Sequence, residues 1–331
     1  MSDHSPSAAT SWRPVIGLAL GLALLLSTML IAFGLPAVKS GPHGIPIAIV
    51  APDAVATQIT GALEDAQPGG FDVTAAASRD AADQLIRDRE VYGAFIVGAD
   101  GLTVDIASAA SPTVATLLTT IGTNAATQLG ATATVDDIVP TTTEDPRGIG
   151  LSAGALPIAL GGFIAGVATT LLLSGTARRL TAMATFAVVA GLLMMTILHF
   201  WFGSLSGSFW LTAAAATLGI LATGMTVLGI ESLLGRPGIA VAALLIVFLG
   251  NPLSGLTSAP EMLPTPWGAI GQLLPPGATG TLLRNVGFFD GAATLKPVLV
   301  LLAWLVLGTA LLVLSQVRSR YKPAIELVPT R

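Results

Sequence analysis

Long apolar runs separated by short polar breaks fill most of this chain, and one region, residues 39–150, departs from that rhythm. A helix that crosses the hydrocarbon core of a bilayer needs about 20 mostly apolar residues. Six stretches approach or exceed that length: Val15–Val38, Leu151–Leu173, Leu180–Phe202, Phe209–Ile230, Pro237–Leu253 and Pro297–Val317. The fifth is the shortest. The first is longer than the apolar run of about 7–15 residues in a secretory signal, and no A-x-A site follows it, so it reads as a retained helix. The pattern predicts a polytopic α-helical membrane protein with six transmembrane helices.

Between the first and second helices the pattern predicts a small extracytoplasmic α/β domain, residues 39–150. Ile45–Ala51 is a short β-branched run bounded by Pro and Gly, hence a strand. Asp53 is placed to cap a helix to about Ala66. Phe71–Ala77 is a second strand, and Ser78 caps a helix to Glu90 with Asp80 in its first turn. Val91–Val97 and Leu102–Ala107 are strands. Ser111-Pro112 opens a helix to Leu129, since Pro suits the first helical position. The order β-α-β-α-β-β-α predicts a partly parallel sheet.

Residues 254–296, before the last helix, contain Pro260, Pro264, Pro266, Pro275 and Pro276, yet stay apolar around Trp267–Leu274 and Thr281–Phe289. A polar linker would not. This combination predicts a re-entrant helical hairpin, whose irregular backbone is tolerated at membrane depth where protein or a water-filled cavity surrounds it.

Charge adds orientation. With residues 1–14 taken as a cytoplasmic tail, the inner segments hold Arg13, Arg178, Arg179, Arg236 and the basic tail 318–331, whereas the short outer loops hold only Arg284 and Lys296. Trp201 and Trp210 bracket the outer turn Gly203–Ser208, where an interfacial belt would lie. Only 10% of residues are charged and 53% are hydrophobic, far from the ~25% charge of soluble domains. The net charge of −4 offers no basic surface for nucleic acid, and the absence of cysteine excludes disulfides and thiolate chemistry. Twelve Arg against three Lys in an Ala- and Gly-rich chain fits a bacterial source.

Three features carry a resemblance. They are a single helix before a large outer domain and five further helices; the domain segments Ile45-Pro-Ile-Ala-Ile-Val-Ala-Pro-Asp53, Ala81–Leu85 and Tyr92-Gly-Ala-Phe-Ile-Val97; and Ala259-Pro-Glu-Met-Leu-Pro264 with Leu273-Leu-Pro-Pro-Gly277 and Leu283-Arg284. Together they resemble the membrane subunit of ABC-2-type transporters, with an outer domain similar to that of the phage-infection-protein (Pip)-like branch. Pip-like proteins are often longer than this chain. The resemblance implies a permease subunit of an exporter in a bacterial plasma membrane. It would pair with a second copy or a second permease chain and dock a separate cytoplasmic ATPase. This chain has no G-x-x-x-x-G-K-[ST] loop, so the ATPase must be a partner. No cofactor is expected.

In such permeases the loop between the second and third helices contacts the ATPase, which makes Arg178 and Arg179 docking candidates. Simple positive-inside anchoring is the other reading. Glu231 and Arg236, at the inner end of the fourth helix, extend the same candidate surface, or Glu231 pairs with an arginine. In the hairpin the resemblance singles out Pro260, Glu261, Pro264, Pro275, Pro276 and Arg284. Gly17 with Gly21, and Gly162 with Gly166, form G-x-x-x-G pairs suited to close helix packing, within one chain or between two.

Gly150-Leu-Ser-Ala-Gly154 matches the G-x-S-x-G of serine hydrolases, with His199 as the histidine downstream. The motif opens a membrane helix, where small residues serve packing equally well. His199 can also be an interfacial side chain reaching headgroup water. Asn251-Pro252 either unwinds the fifth helix or ends it. Helix centres nearly free of ionisable residues argue against an ion-coupled carrier and suit an amphipathic or apolar substrate. A receptor or assembly factor that binds a ligand through its outer domain is the alternative to transport.

Overall fold

The computed structural model describes residues 12–98, 101–128, 130 and 132–320. The expected tails, 1–14 and 318–331, lie mostly outside these residues. Arg13 falls in the first helix and Arg318 in the last.

The α/β region holds β1 (Ile45–Val50), α2 (Asp53–Ala66), β2 (Phe71–Ala75), α3 (Arg79–Arg87), β3 (Gly93–Gly98), β4 (Gly101–Ile106), α4 (Pro112–Gln128) and β5 (Ala133–Asp137), and follows helix α1 (Trp12–Val38). The sheet order is β2-β1-β3-β4-β5, with β3–β4 antiparallel and the other pairs parallel. The strand β5 is an addition to the sequence reading: Ala133–Asp137 is polar and largely exposed, so alternation is hidden. Ser78 caps α3, its Oγ accepting from Ala81 N at 3.2 Å, and Ser111 Oγ accepts from Val114 N at 3.2 Å behind Pro112. Asp53 is not a cap. It is the first helical residue behind Pro52, and its carboxylate lies in the first turn, where the helix dipole favours it. Ile45, Ile47, Ile49, Phe95, Val104 and Leu118 form the buried core, and Ala259, Met262 and Phe289 from the Pro-rich segment belong to the same cluster.

The helices α1, α5 (Ile149–Leu172), α6 (Thr176–Thr196, continued by a π-turn to Trp201), α7 (Phe209–Leu234) and α11 (Leu295–Arg320) are each long and apolar enough to cross a membrane. The expected fifth span is shorter: α8 (Arg236–Ala243) runs into a π-helical stretch, Leu244–Gly250, and ends in a 3-10 turn, Pro252–Ser254. Asn251-Pro252 therefore marks a helix end. Two expected boundaries also shift. α6 begins at Thr176, which puts Arg178 and Arg179 inside its first turn instead of in a loop, and α7 runs on to Leu234, which includes Glu231.

Helix α7 is the axis of the bundle and is buried along most of its length. Its neighbours approach through glycines: a Cβ on Gly162 of α5 would lie 2.7 Å from Ile220 O, and one on Gly308 of α11 would strike Met225 O. Close backbone approach of this kind is how helices gain dispersion contacts where hydrophobicity gives no drive. Asp145 ties the domain to the bundle by accepting from the first amides of α5, Ile149 N at 2.9 Å and Gly150 N at 2.6 Å.

The Pro-rich segment forms a helical hairpin, α9 (Trp267–Gln272) and α10 (Pro275–Phe288), with nearly all of α10 buried against α7, α11 and α5. Its depth follows from its contacts. Gly219, against which Thr279 packs, is ten residues into α7, and Trp304, which meets the turn, is nine residues into α11. At ~1.5 Å per residue both lie about 14–15 Å from the domain-side helix ends, near half of a ~30 Å bilayer core.

Candidate functional site

A helix that starts inside a bilayer presents orphan amide donors to hydrocarbon. Helix α10 reduces this demand: it begins with Pro275-Pro276, neither of which has an N–H, and Ala278 N donates to Leu274 O at 3.1 Å. The opposite problem, a free carbonyl at the turn, is met by Trp304, whose indole Nε1 donates to Leu273 O at 2.7 Å. Gln272 Nε2 donates to Ser254 O at 2.8 Å, and Thr281 Oγ1 donates to Gln272 Oε1 at 2.6 Å. These bonds tie the turn to α11 and to Ser254.

The top of the hairpin joins the domain through a charged and aromatic cluster. Pro260–Met262 is a 3-10 turn whose carbonyls accept from the linker between α1 and β1: Gly41 N to Met262 O and His43 N to Glu261 O, both 2.9 Å. Tyr92, just before β3, donates its hydroxyl to Glu261 Oε2 at 2.7 Å. Burial and the nearby Glu261 carboxylate push the Tyr92 hydroxyl upward from its ordinary value, so it remains a donor. Arg89 follows α3 in a left-handed conformation (φ 65°), a position where glycine is the unstrained choice. Its guanidinium lies 4.7 Å from the Phe289 ring centre and 5.4 Å from that of Tyr92, and Nε donates to Asn285 Oδ1 at 3.1 Å. Arg284, only 5% exposed, donates from Nη2 to Leu256 O at 3.0 Å. The same carbonyl accepts from Ser152 Oγ at 3.1 Å, linking α5 to the joint.

Two cavities flank this joint. One, about 1280 Å³, opens between Arg87, Asp88, Glu144, His199, Ser206 and Asp290, with three carboxylates to one cation. The other, about 610 Å³, lies beneath Arg89 and Tyr92 and runs along α11, with Arg89, Arg284 and Lys296 facing a single carboxylate, Glu261.

Of the expected hairpin residues, Pro260 and Glu261 form the 3-10 turn, Pro264 follows it, Pro275 and Pro276 begin α10, and Arg284 sits at the joint. The docking candidates separate. Arg178 and Arg236 are exposed, whereas Arg179 donates to Thr170 O at 2.8 Å and Leu173 O at 3.0 Å and pairs with Glu231 at 3.6 Å. Arg179 and Glu231 are thus already engaged within the chain. Gly162 and Gly166 face α7, and nothing lies within 4 Å of a Cβ on Gly17 or Gly21. Ser152 and His199 do not meet: His199 Nε2 bonds Thr212 Oγ1 at 2.8 Å, and Ser152 is held by Leu256. Sequence reasoning missed Arg89 and Asn285, and used Tyr92 only as a strand residue within the segment that carries the resemblance. The available signal was a missing glycine after α3, where Asp88-Arg89-Glu90 stands instead.

The fold and joint describe a polytopic helical membrane protein that carries a small mixed-sheet domain on a hairpin inserted among its helices. Comparisons with protein-family models, curated proteins and solved structures find no match to this chain.

Proposed function

We propose that the chain is the membrane subunit of an ABC-2-type exporter in a bacterial plasma membrane, with its α/β domain outside the cytoplasm and a separate ATPase docked on the opposite side. One observation carries this reading: the hairpin that reaches half-way along α7 and α11 shares its core with the domain. Domain and hairpin then move as one body, and a tilt of either bundle half changes the path beneath it. Arg178 and Arg236 are exposed on the ATPase side, as are Arg13 and Arg318, and the Arg179–Glu231 pair joins α6 to α7 beside the first two. Nothing lies within 4 Å of a Cβ on Gly17 or Gly21, which leaves that half of α1 open to a second permease subunit.

The test is purification of the tagged full chain from its host in mild detergent, with mass spectrometry of what accompanies it. A stoichiometric ATPase with a phosphate-binding loop, lost in the double variant R178E/R236E, is the expected result. A chain that purifies alone, or only with surface proteins, points to the receptor or assembly role.

A further inference from the structure

We infer that the cavity of about 610 Å³ between α11, the hairpin and the underside of the domain binds an anionic amphiphile: a phosphate or carboxylate headgroup on an apolar tail. The argument begins with charge. Three cations, Arg89, Arg284 and Lys296, line the space against one carboxylate, Glu261, whose Oε2 already accepts from Tyr92. Among the described residues, no carboxylate comes within 4.0 Å of any of the three.

Arg284 is the most telling of them. A guanidinium has five N–H donors. At 5% exposure, that of Arg284 has one acceptor, the Leu256 carbonyl. None of its nitrogens is both sealed from solvent and unbonded, so those without an acceptor face the cavity. A cation this deep without a counter-ion destabilises the fold, and an anion in the cavity offsets that loss. Arg89 points the same way. Its left-handed backbone is strained in a non-glycine residue, yet its side chain is held over two aromatic rings at the cavity mouth.

The other half of the cavity is apolar. Leu295, Leu299 and Val300 of α11 form its wall, and Leu295 and Leu299 are 72% and 56% exposed, so the space opens sideways toward lipid. Charge at the domain end and aliphatic surface along α11 match a molecule with its head at the membrane surface and its tail in hydrocarbon. The volume falls within the range of ~300–1,000 Å³ for small-ligand sites, which suits a headgroup and the first part of a tail. The inference does not depend on the exporter reading, because a receptor would hold the same molecule and the test needs no ATPase.

The experiment is native mass spectrometry of the full chain in neutral detergent, titrated with phosphatidylglycerol, with phosphatidylcholine of the same tails, and with inorganic phosphate. Phosphatidylglycerol should bind at one preferred site, ahead of phosphatidylcholine. Arg284→Gln and Lys296→Gln should each weaken it about tenfold, the loss of one charge-assisted contact. Leu299→Trp, which fills the apolar wall, should weaken both lipids. Lys296 is exposed, so its variant keeps the test valid if Arg284→Gln fails to fold. Equal retention of the two lipids, or wild-type binding by every folded variant, overturns the proposal. Displacement of the lipid by equimolar inorganic phosphate would overturn the amphiphile and leave a free anion as ligand.

Discussion

The hydroxyl of Tyr92 donates to Glu261 Oε2 over 2.7 Å, and this bond joins the first third of the chain to the hairpin across 169 positions. It sits between a shared apolar core on one side and the cationic cavity on the other. Tyr92→Phe keeps the ring that packs beneath Arg89 and removes only the donor. Leaving the half-buried Glu261 carboxylate without it should cost about 1–3 kcal/mol locally. Amide hydrogen exchange should quicken across residues 260–266 with little change in α5 or α7. Unchanged exchange there would mean that the shared core alone holds the joint.

The domain contains a second ionic cluster. Arg79 donates to Asp105 through Nε (2.9 Å) and Nη2 (2.7 Å) and bridges to Asp136, while Asp83 Oδ1, buried and without a donor, adds its charge nearby. Burial pushes the Asp105 carboxyl up from 3.8 to about 6, against the pull of Arg79 and with the help of Asp83. The folded state therefore holds more protons than the unfolded chain between about pH 4 and 6. This group's contribution to stability is present below that window and is lost as pH rises through it, by on the order of 2–3 kcal/mol. Asp105→Asn should remove that part of the pH dependence, read from exchange of β4 amides corrected for intrinsic rate. An identical pH profile in the variant would refute the assignment.

Much of this arrangement was legible because local patterns suffice for it. Apolar length located α1, α5, α6, α7 and α11, and Ser78 and Ser111-Pro112 signalled their helix starts. Strand β5 was not legible, since an exposed edge strand made of Ala-Thr-Val-Asp-Asp carries no alternation. The Pro-rich segment could be read as re-entrant, but its partners could not. Trp304 meets Leu273 across 31 positions, and Arg89 meets Asn285 across 196. The π-helical turns after α6 and α8 have no compositional sign.

The glycines give a contrast. Gly308→Leu would drive a side chain into the backbone of Met225 and Thr226, and neither can yield without moving α7. Loss of monodisperse protein, or a sharply lowered unfolding temperature, is the expected outcome. Gly21→Leu meets nothing within 4 Å and should leave monomer stability as it is, while changing any self-association through α1. Equal damage from both, measured by thermal unfolding in detergent, would contradict these placements.

On the side away from the domain, Arg179 closes the end of α5 and pairs with Glu231, whose buried Oε2 has no hydrogen-bond donor. Arg179→Glu would free two carbonyls and set two carboxylates together, a loss of roughly 2–4 kcal/mol. Arg178→Glu, on the exposed side of the same turn, should leave stability unchanged. Adding Glu231→Arg to the first variant should recover part of its unfolding temperature. If R178E destabilises as much as R179E, the pair is not what holds α5, α6 and α7 together.

The depth of the hairpin can be read with single cysteines, since the chain has none of its own. A thiol at Leu273, at the turn, should resist a membrane-impermeant reagent in intact cells. One at Asp290, exposed at the top of α10, should react readily once the domain faces the medium. Trp304→Phe keeps a smaller aromatic ring and removes the indole donor, leaving the Leu273 carbonyl without that partner in an apolar setting. That should cost about 1–3 kcal/mol and raise labelling at position 273 by letting the turn open. A freely labelled Leu273→Cys in the otherwise native chain would place the hairpin in water, and the prolines that begin α10 would then need a different explanation.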